Sequence, residues 1–394
     1  MYPFRMFGRM RISKICFYLF IIGLVLTEVR CVKEKAADYN PWSISLRWVA
    51  AYEEESWDNV RTGLLWSFSF LGATLPAGSF DASVTWKNDR LFTCDFSKLG
   101  FNKEALLSLQ VIFDRLKASE EYSAKGGIDI GRLLMLTVYS SNHYYRITGM
   151  HSSYNTLNEL HLSDSVLQLA LTHSAVASEN RLIRMTAATN SSSLAFYSAS
   201  EGTGSIADSS FSTQIYETIE LMPNGQLRFA IYDLQGILMP SANAVISAAG
   251  KPGKCMWCHE SKALTLFQEQ DDVPGYLTAQ EFMERVALTN EELTEIRNAL
   301  STDLVFANQS DHTLSELLYI SFMEPSAYRI ANEWGRTIDE ATIVLADLPT
   351  HEYPEFPFLG LLYQRETVDL LAPYKTERVP ESVREYSFYE PDFF

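Results

Sequence analysis

The spacing of apolar residues predicts a strand pair and then a helix in the first third of the chain. Between residues 82 and 96, apolar and polar residues alternate around Lys87-Asn88-Asp89-Arg90, as in two strands joined by a turn. Apolar residues then recur at helical spacing as far as Lys117, and Asn102 precedes them as a favoured N-cap residue. We therefore predict a hairpin followed by a helix that begins after Asn102.

The residues between 184 and 238 are typical of β-structure. Residues 215–221 and 226–234 are two apolar, β-prone runs, and Asn224-Gly225 lies between them. Asn-Gly readily adopts the left-handed backbone that tight turns between antiparallel strands require. This pattern predicts an antiparallel hairpin with its turn at Asn224-Gly225.

After residue 250 the chain is predicted to be mostly helical. Residues 241–254 end in Gly-Lys-Pro-Gly-Lys and are predicted to form a flexible approach to the segment that follows. A threonine followed three residues later by a glutamate matches a capping box, which indicates a helix N-terminus. The predicted helices begin after Thr278 (with Glu281) and after Thr289 (with Glu292), and two more occupy residues 314–322 and 327–334.

These elements predict an α+β fold, in which a mixed region with an antiparallel β portion precedes a mostly α-helical region. The sequence divides accordingly into a mixed α+β domain of residues 38–250, for which it indicates no role, and a helical region of residues 251–349. Residues 350–394 form a C-terminal strap that is rich in Tyr and Phe. So many aromatic side chains are expected to pack against the body of the protein.

The N-terminus has the pattern of an export signal. Four basic residues up to Lys14 precede an unbroken apolar run over residues 15–26, which is short for a membrane span. We therefore predict that residues 1–31 are an export signal or a membrane anchor, and that the protein lies in the periplasm or is anchored facing the periplasm or the cell surface. Cys31 follows Glu28-Val29-Arg30 rather than the small residues that precede a lipidated cysteine. Lipid attachment at Cys31 is therefore poorly supported, but it stays an open alternative.

Composition and charge exclude some classes of partner. Of the 394 residues, 47% are apolar, which is enough for a substantial core. The formal net charge of -17 disfavours binding to phosphate backbones and to anionic lipid surfaces, so we predict no nucleic-acid partner. An acidic surface would instead attract a basic partner protein.

One short motif indicates a chemistry, Cys255-Met256-Trp257-Cys258-His259. Two thiols three positions apart, followed by an imidazole, form the arrangement that attaches a c-type haem and ligates its iron. Here the chain resembles c-type cytochromes. The resemblance covers these five residues and implies that Cys255 and Cys258 form thioethers to one covalent haem c, with His259 as the proximal iron ligand. It also implies that residues 251–349 are a cytochrome c-like, haem-binding region.

Three other interpretations of the motif stay open. A zinc site would use the same thiols and imidazole, but structural zinc prefers four protein ligands and the chain has no second Cys-x-x-Cys pair. A thioredoxin-type dithiol would follow a buried strand and open a helix, whereas this motif follows a glycine-containing loop. The third interpretation is a chance pair of small buried cysteines beside an incidental histidine.

The chain has five cysteines, and the motif uses two of them. Cys16 lies within the predicted export signal, which leaves Cys31 and Cys94. These two could pair as a disulfide after export, or either could be a free thiol. The sequence leaves both alternatives open.

The motif does not identify the second axial iron ligand. Small soluble cytochromes of this type usually supply a methionine downstream of the motif. Met323, in Phe-Met-Glu-Pro at a predicted helix end, is the preferred candidate, and His312 is the second. Met283 lies inside a predicted helix, where methionine more often fills a core, and an open sixth position is a further alternative.

The sequence thus predicts an exported mono-haem c-type cytochrome-like protein that transfers single electrons to a redox partner protein, which is expected to be basic. One alternative is a peroxidase-like haem enzyme in which the sixth iron position is open. Another is a cell-surface binding protein with a zinc or dithiol Cys-x-x-Cys site. No Ser-His-Asp order, HExxH, P-loop or EF-hand spacing supports a hydrolytic, nucleotide or calcium site.

Overall fold

Strands and helices alternate in the first half of the described chain, and helices predominate after Asp233. The computed structural model describes residues 40–161, 166–177, 180–186, 197–265, 267 and 270–394. Residues Trp42–Phe394 form one compact unit. The predicted export signal, with Cys16 and Cys31, lies outside the described residues. The α+β fold predicted from the sequence is confirmed.

The described strands form two separate sheets. They are β1 (Ser43–Arg47), β2 (Val84–Trp86), β3 (Leu91–Asp95), β4 (Ile128–Asp129), β5 (Val166–Leu171), β6 (Arg181–Thr186), β7 (Tyr197–Thr203), β8 (Ser212–Leu221) and β9 (Leu227–Asp233). The first sheet has the order β2-β3-β1-β4, and β4 pairs parallel with β1. The second sheet has the order β5-β6-β7-β8-β9, and every neighbouring pair in it is antiparallel.

The described α-helices lie between these strands and after them. They are α1 (Trp57–Phe70), α2 (Ser79–Ser83), α3 (Lys103–Lys117), α4 (Glu120–Lys125), α5 (Ile130–Met135), α6 (Ser141–Thr148), α7 (Tyr154–His161), α8 (Pro252–His259), α9 (Ala279–Ala299), α10 (His312–Met323), α11 (Ala327–Trp334), α12 (Ile338–Leu345) and α13 (Arg365–Asp369). No helix in the described ranges is long and apolar enough to cross a membrane.

Local sequence signals predicted several of these elements correctly. β2 and β3 pair antiparallel as the predicted strand pair. The Asn102 side chain caps α3 by accepting a hydrogen bond of 2.8 Å from the Ala105 amide. β8 and β9 form the predicted hairpin, in which Leu221 lies opposite Leu227 and Gly225 adopts a φ of +80° in the turn.

The region after residue 250 contains one long helix where two short ones were predicted. The capping box predicted at the start of α9 is present, but the helix then continues to Ala299 without a break. The Thr289 hydroxyl donates to the Arg285 carbonyl inside the helix rather than capping a new one, so the predicted helix start at Asn290 is wrong. Asn290 instead binds the backbone N–H and carbonyl of Ala263 with its side-chain amide. It therefore fastens the segment that follows α8 to α9.

The main core surrounds α10. Gly63 in α1 allows close approach of the two helices, because a Cβ there would lie 2.8 Å from the Leu314 carbonyl oxygen. Gly131 in α5 does the same on another side, where a Cβ would lie 2.2 Å from the Cβ of Phe322. Residues before and after position 250 contribute to this one core. The helical C-terminal region is thus joined to the earlier part of the chain by shared packing.

A network of ion pairs is buried, or nearly so, beside this core. Its members are Arg47, Arg132, Arg329, Arg365, Glu121, Asp129, Glu333 and Asp369. Arg365 lies 3.0 Å from Glu333, and Arg329 lies 2.7 Å from Asp129. The guanidinium groups of Arg132, Arg329 and Arg365 also surround the Phe322 ring. Because the four positive and four negative charges balance, the loss of one member leaves a buried charge without its partner.

Replacing Arg365 by Met is expected to lower the free energy of unfolding by about 3–5 kcal/mol, because the buried Glu333 loses its partner. Arg378→Met is the matched control, since Arg378 is exposed and pairs with Glu381 at the surface. Its loss should change the free energy of unfolding by about 0–1 kcal/mol. Denaturant unfolding measures both variants. An R365M protein as stable as R378M would contradict the importance of the network.

The network also predicts a pH dependence of stability. Burial would raise the pKa of Asp369, but the charges of Arg132 and Arg365 outweigh it and lower that pKa below its usual value. The stability contributed by this carboxylate is therefore present above its unfolded pKa and is lost as the pH falls through its folded pKa. The advantage of the wild type over Asp369→Asn should shrink between about pH 7 and about pH 3, as measured by denaturant unfolding. A constant difference would show that the carboxylate charge is not what stabilises the network.

Candidate functional site

The Cys-x-x-Cys-His motif lies in a helix rather than in a loop. α8 begins at Pro252, a residue favoured in the first turn, and Lys251 occupies its N-cap position. The prediction that residues 241–254 are a flexible approach is therefore wrong at its end. The two cysteines and the histidine stand at positions i, i+3 and i+4 of α8 and so share one face.

The two residues between the cysteines orient α8. Met256 and Trp257 are buried in the main core. The indole N–H of Trp257 lies 3.4 Å from the Tyr139 hydroxyl, which is 2.8 Å from the Ser315 hydroxyl of α10. Gly253 packs flat on the Tyr139 ring, where a Cβ would lie 2.9 Å from a ring carbon. The cysteines and the histidine are therefore left on the other side of α8, although Cys255 also packs against the main core.

The C-terminal segment holds the same helix from its N-terminal end. The Lys251 side chain is only 2% exposed, donates to the Ser382 carbonyl at 3.0 Å and forms an ion pair with Glu390. The guanidinium group of Arg384 lies 4.9 Å from the centre of the Trp257 ring. Because the Lys251 ammonium group is buried together with the Glu390 carboxylate, removing either charge would leave the other buried without a partner. The position of α8 therefore depends on this ion pair.

A cavity borders the motif face of α8. It contains about 750 Å³ of space not filled by protein atoms, part of it open to solvent, and Cys255 and His259 line it. One face of the second sheet, the segment after α8 and the first turns of α9 form the other walls. Apolar wall residues include Ile183, Tyr197, Ile219, Phe229, Phe282 and Val286.

Three charged side chains interrupt the apolar sheet face at one end of the cavity. Arg181 of β6 lies 2.8 Å from Glu201 of β7 and 2.8 Å from Glu217 of β8. The Ser247 hydroxyl donates to Glu217 at 2.9 Å. Arg181 and Glu217 line the cavity, whereas Glu201 is fully buried behind them.

This charged cluster was not predicted from the sequence, although the strand that carries Glu217 contains one signal of it. Glu217 lies between Ile215 and Ile219 in a strand where alternate residues share a face, so an acidic side chain interrupts an apolar row. Its partner Arg181 is 36 residues earlier and two strands away. Only the strand register brings the two side chains together.

The environment of the motif keeps its imidazole neutral. Burial, followed by the positive charge of Arg181, lowers the pKa of His259 to about 4. The neutral ring is the form that binds metals, and its buried Nδ1 atom has no hydrogen-bond partner among the described residues. The Phe229 ring lies 5.5 Å from the imidazole. Burial also raises the pKa of both thiols, that of Cys255 more strongly than that of the exposed Cys258.

The structure does not bring the predicted distal ligands to this cavity. Met323 is 3% exposed in the main core and does not line the cavity. His312 is also buried and places its Nδ1 atom 2.6 Å from the Gln309 carbonyl oxygen. Met283 lies on α9 with 41% of its surface exposed. None of the three lines the described cavity wall, so the preference for Met323 as the partner of His259 is not supported by its position.

Comparison with protein-family models, with curated proteins and with solved structures found no match to this chain. In the part of the chain that the structure describes, no group of three or more His, Cys, Asp and Glu side chains is placed to hold a bare metal ion. The chemistry of the cavity is therefore inferred from its own residues.

In the chain without a bound cofactor, Cys258 should react with iodoacetamide at least about ten times faster than Cys255, because the thiolate is the reactive form and burial disfavours it at Cys255. Cys94 is buried in β3, and burial raises its pKa to about 12, so it should react only on unfolding. Peptide mapping by mass spectrometry follows each site. Equal rates at Cys255 and Cys258 would contradict the described orientation of α8.

A substitution of the N-cap residue tests the same orientation. Lys251→Met leaves Glu390 buried without its partner and should raise the rate at Cys255 towards that at Cys258. Lys87→Met is the control, because Lys87 is exposed in the turn between β2 and β3. A rate at Cys255 that is unchanged in K251M would show that the buried ion pair does not hold the helix.

Proposed function

We propose that this chain is an exported mono-haem c-type redox protein whose haem occupies the cavity beside α8 and exchanges single electrons with a partner protein. We further propose that its iron has His259 as protein ligand and a second axial position available to a small external ligand. The observation that carries both proposals is the cavity itself, which is lined by Cys255 and His259 and not by Met323, His312 or Met283.

The residues present fit a covalent haem. A thiol and a neutral imidazole border the cavity, and the second thiol lies at the exposed edge of the same helix face. The walls are mainly apolar, as suits a porphyrin. The buried Nδ1 atom of His259 has no hydrogen-bond partner among the described residues, which is unusual for a buried polar atom. The donor set, two thiols and one imidazole, is that of the c-type attachment motif.

The chain's own residues would position and shield the cofactor. A haem bound here would supply a one-electron iron couple. Met256 and Trp257 hold α8 against the core, so that the imidazole and the Cys255 thiol stay directed into the cavity. Phe229 packs near the imidazole ring, and the apolar sheet face limits the access of water. Limited access of water and a fixed imidazole are two of the means by which a protein sets a reduction potential.

Export and an acidic surface support the same proposal. The c-type resemblance implies attachment of haem outside the bacterial cytoplasm, which agrees with the predicted N-terminal signal. The net charge of -17 would favour encounter with a basic electron-transfer partner and would make the rate of encounter depend on ionic strength.

Expression of the full chain with a c-haem maturation system tests the cofactor. We expect haem to remain on the protein in a denaturing gel and to give the reduced-pyridine spectrum of haem c. The Cys255→Ser/Cys258→Ser variant should lose the covalent haem, whereas Cys94→Ser, which alters a thiol far along the chain in β3, should keep it. Absence of covalent haem from protein with both motif cysteines intact would refute the proposal, and zinc retained in its place would support the zinc alternative.

The axial ligands are tested by optical spectroscopy of the matured protein. A high-spin spectrum that changes on addition of carbon monoxide to the reduced protein is expected, because the described cavity wall provides no second methionine or histidine. Met323→Leu, His312→Gln and Met283→Leu should leave this spectrum unchanged, and His259→Ala should alter it. A low-spin spectrum that M323L converts to high spin would restore Met323 as the sixth ligand.

A further inference from the structure

We propose that Glu201 and Glu217 share one proton at neutral pH and take up or release a proton when the charge of the adjoining cavity changes. The shared proton is a property of the polypeptide alone. The second half rests on the proposed function, since it requires a redox cofactor in the cavity. The two halves are therefore tested separately.

Strand register builds the pair. Arg181 lies directly opposite Glu201 across β6 and β7, and Glu217 lies opposite Ala199 across β7 and β8. The same face of three neighbouring strands thus carries one guanidinium group and two neighbouring carboxylates, each 2.8 Å from the guanidinium group. Glu201 has no exposed surface, and besides the ion pair with Arg181 its carboxylate interacts with the Ser247 hydroxyl and with Glu217.

The charges of this cluster do not balance if both carboxylates are ionised. One arginine and two carboxylates would leave one net negative charge in a buried position, which is costly in a medium of low dielectric constant. A single proton on the pair removes that charge. In agreement, burial and then the nearby charge of Glu217 raise the pKa of Glu201, and the charge of Arg181 opposes the rise.

Among the described residues, the groups that face the pair from other elements carry no charge that would balance it in place of this proton. The segment before α8 contributes the Ser247 hydroxyl, which donates to Glu217. α8 contributes Cys255 and His259, both uncharged at neutral pH because burial raises the pKa of the thiol and lowers that of the imidazole. The residues of α9 that reach the cavity, Phe282 and Val286, are apolar.

The pair is placed so that it responds to a change of charge in the cavity. Glu217 and Arg181 line the cavity, and part of the cavity is open to solvent. When a partner protein donates one electron, the cavity gains one negative charge. One proton that enters from solvent and binds to the carboxylate pair cancels this charge, and the reverse electron transfer releases it. Electron and proton thus move in a ratio of up to one to one.

The same strand offers a matched control carboxylate. Glu220 of β8 is also buried, but it lies on the opposite face of the sheet, where Arg228 is 2.8 Å and His161 is 2.7 Å away. Burial would raise the pKa of Glu220, but hydrogen bonds from His161 and Arg228 outweigh it and lower that pKa. Glu220 should therefore be ionised at neutral pH, unlike the Glu201–Glu217 pair.

Infrared spectroscopy of the full chain, expressed without haem maturation, tests the shared proton. At about pH 7 we expect a C=O stretching band of a protonated carboxylic acid that shifts in D2O and is lost in both Glu201→Gln and Glu217→Gln, because either change leaves an ionised carboxylate paired with Arg181. Glu220→Gln should retain the band. Circular dichroism verifies that each variant is folded. A band that persists in both folded variants of the pair, or no such band in the wild type, would overturn the proposal.

The reduction potential of the matured protein tests the coupling. Between the pKa values of the oxidised and reduced forms, the equilibrium constant for reduction should fall up to tenfold per pH unit, which corresponds to about 59 mV. This slope should be strongly reduced in E201Q and E217Q and retained in E220Q. A wild-type slope that E201Q and E217Q leave unchanged would overturn the coupling. Failure of the chain to bind haem would refute the proposed function, and the infrared result would still decide the shared proton.

Discussion

The direction in which α8 faces is the constraint on which the candidate site depends. A helix of eight residues has little stability of its own, so its orientation must come from tertiary contacts. Met256 and Trp257 supply those contacts on one side, and the buried ion pair of Lys251 and Glu390 supplies them at the N-terminal end. Because Met256 and Trp257 are buried in the core, the motif lies on the other side of α8, where Cys255 and His259 line the cavity and Cys255 also touches the edge of the core. The chemistry of the motif therefore depends on the cavity that borders this side of α8.

One face of the second sheet lies on the motif side of α8 and lines the cavity. A sheet in a folded domain normally buries one apolar face against another layer. Here the cavity lies between the second sheet, α8, the segment after α8 and the first turns of α9. The Asn290 side chain fastens the segment after α8 to α9. An apolar cavity with a thiol and an imidazole in one wall and a charged cluster at one end is the outcome of this arrangement.

Sequence reasoning succeeded where the determining contacts are local. The cap at Asn102, the turn at Asn224-Gly225 and the helix α11 all follow from neighbouring residues. It failed at Thr289, where the capping-box spacing lies inside a helix and the Thr289 hydroxyl donates to the Arg285 carbonyl one turn earlier. The candidate site divides in the same way.

The motif itself was evident from five consecutive residues, but neither the direction of Met323 nor the pairing of Arg181 with two glutamates can be read from spacing along the chain. Burial in the core determines the first, and the register of three strands determines the second. An anomalous difference map at the iron absorption edge, from crystals of the matured full-length protein, tests the central claim most directly. We expect one iron peak inside the cavity between α8 and the second sheet, next to His259. A peak on the main-core side near Met323, or no iron in protein that carries both motif cysteines, would contradict it.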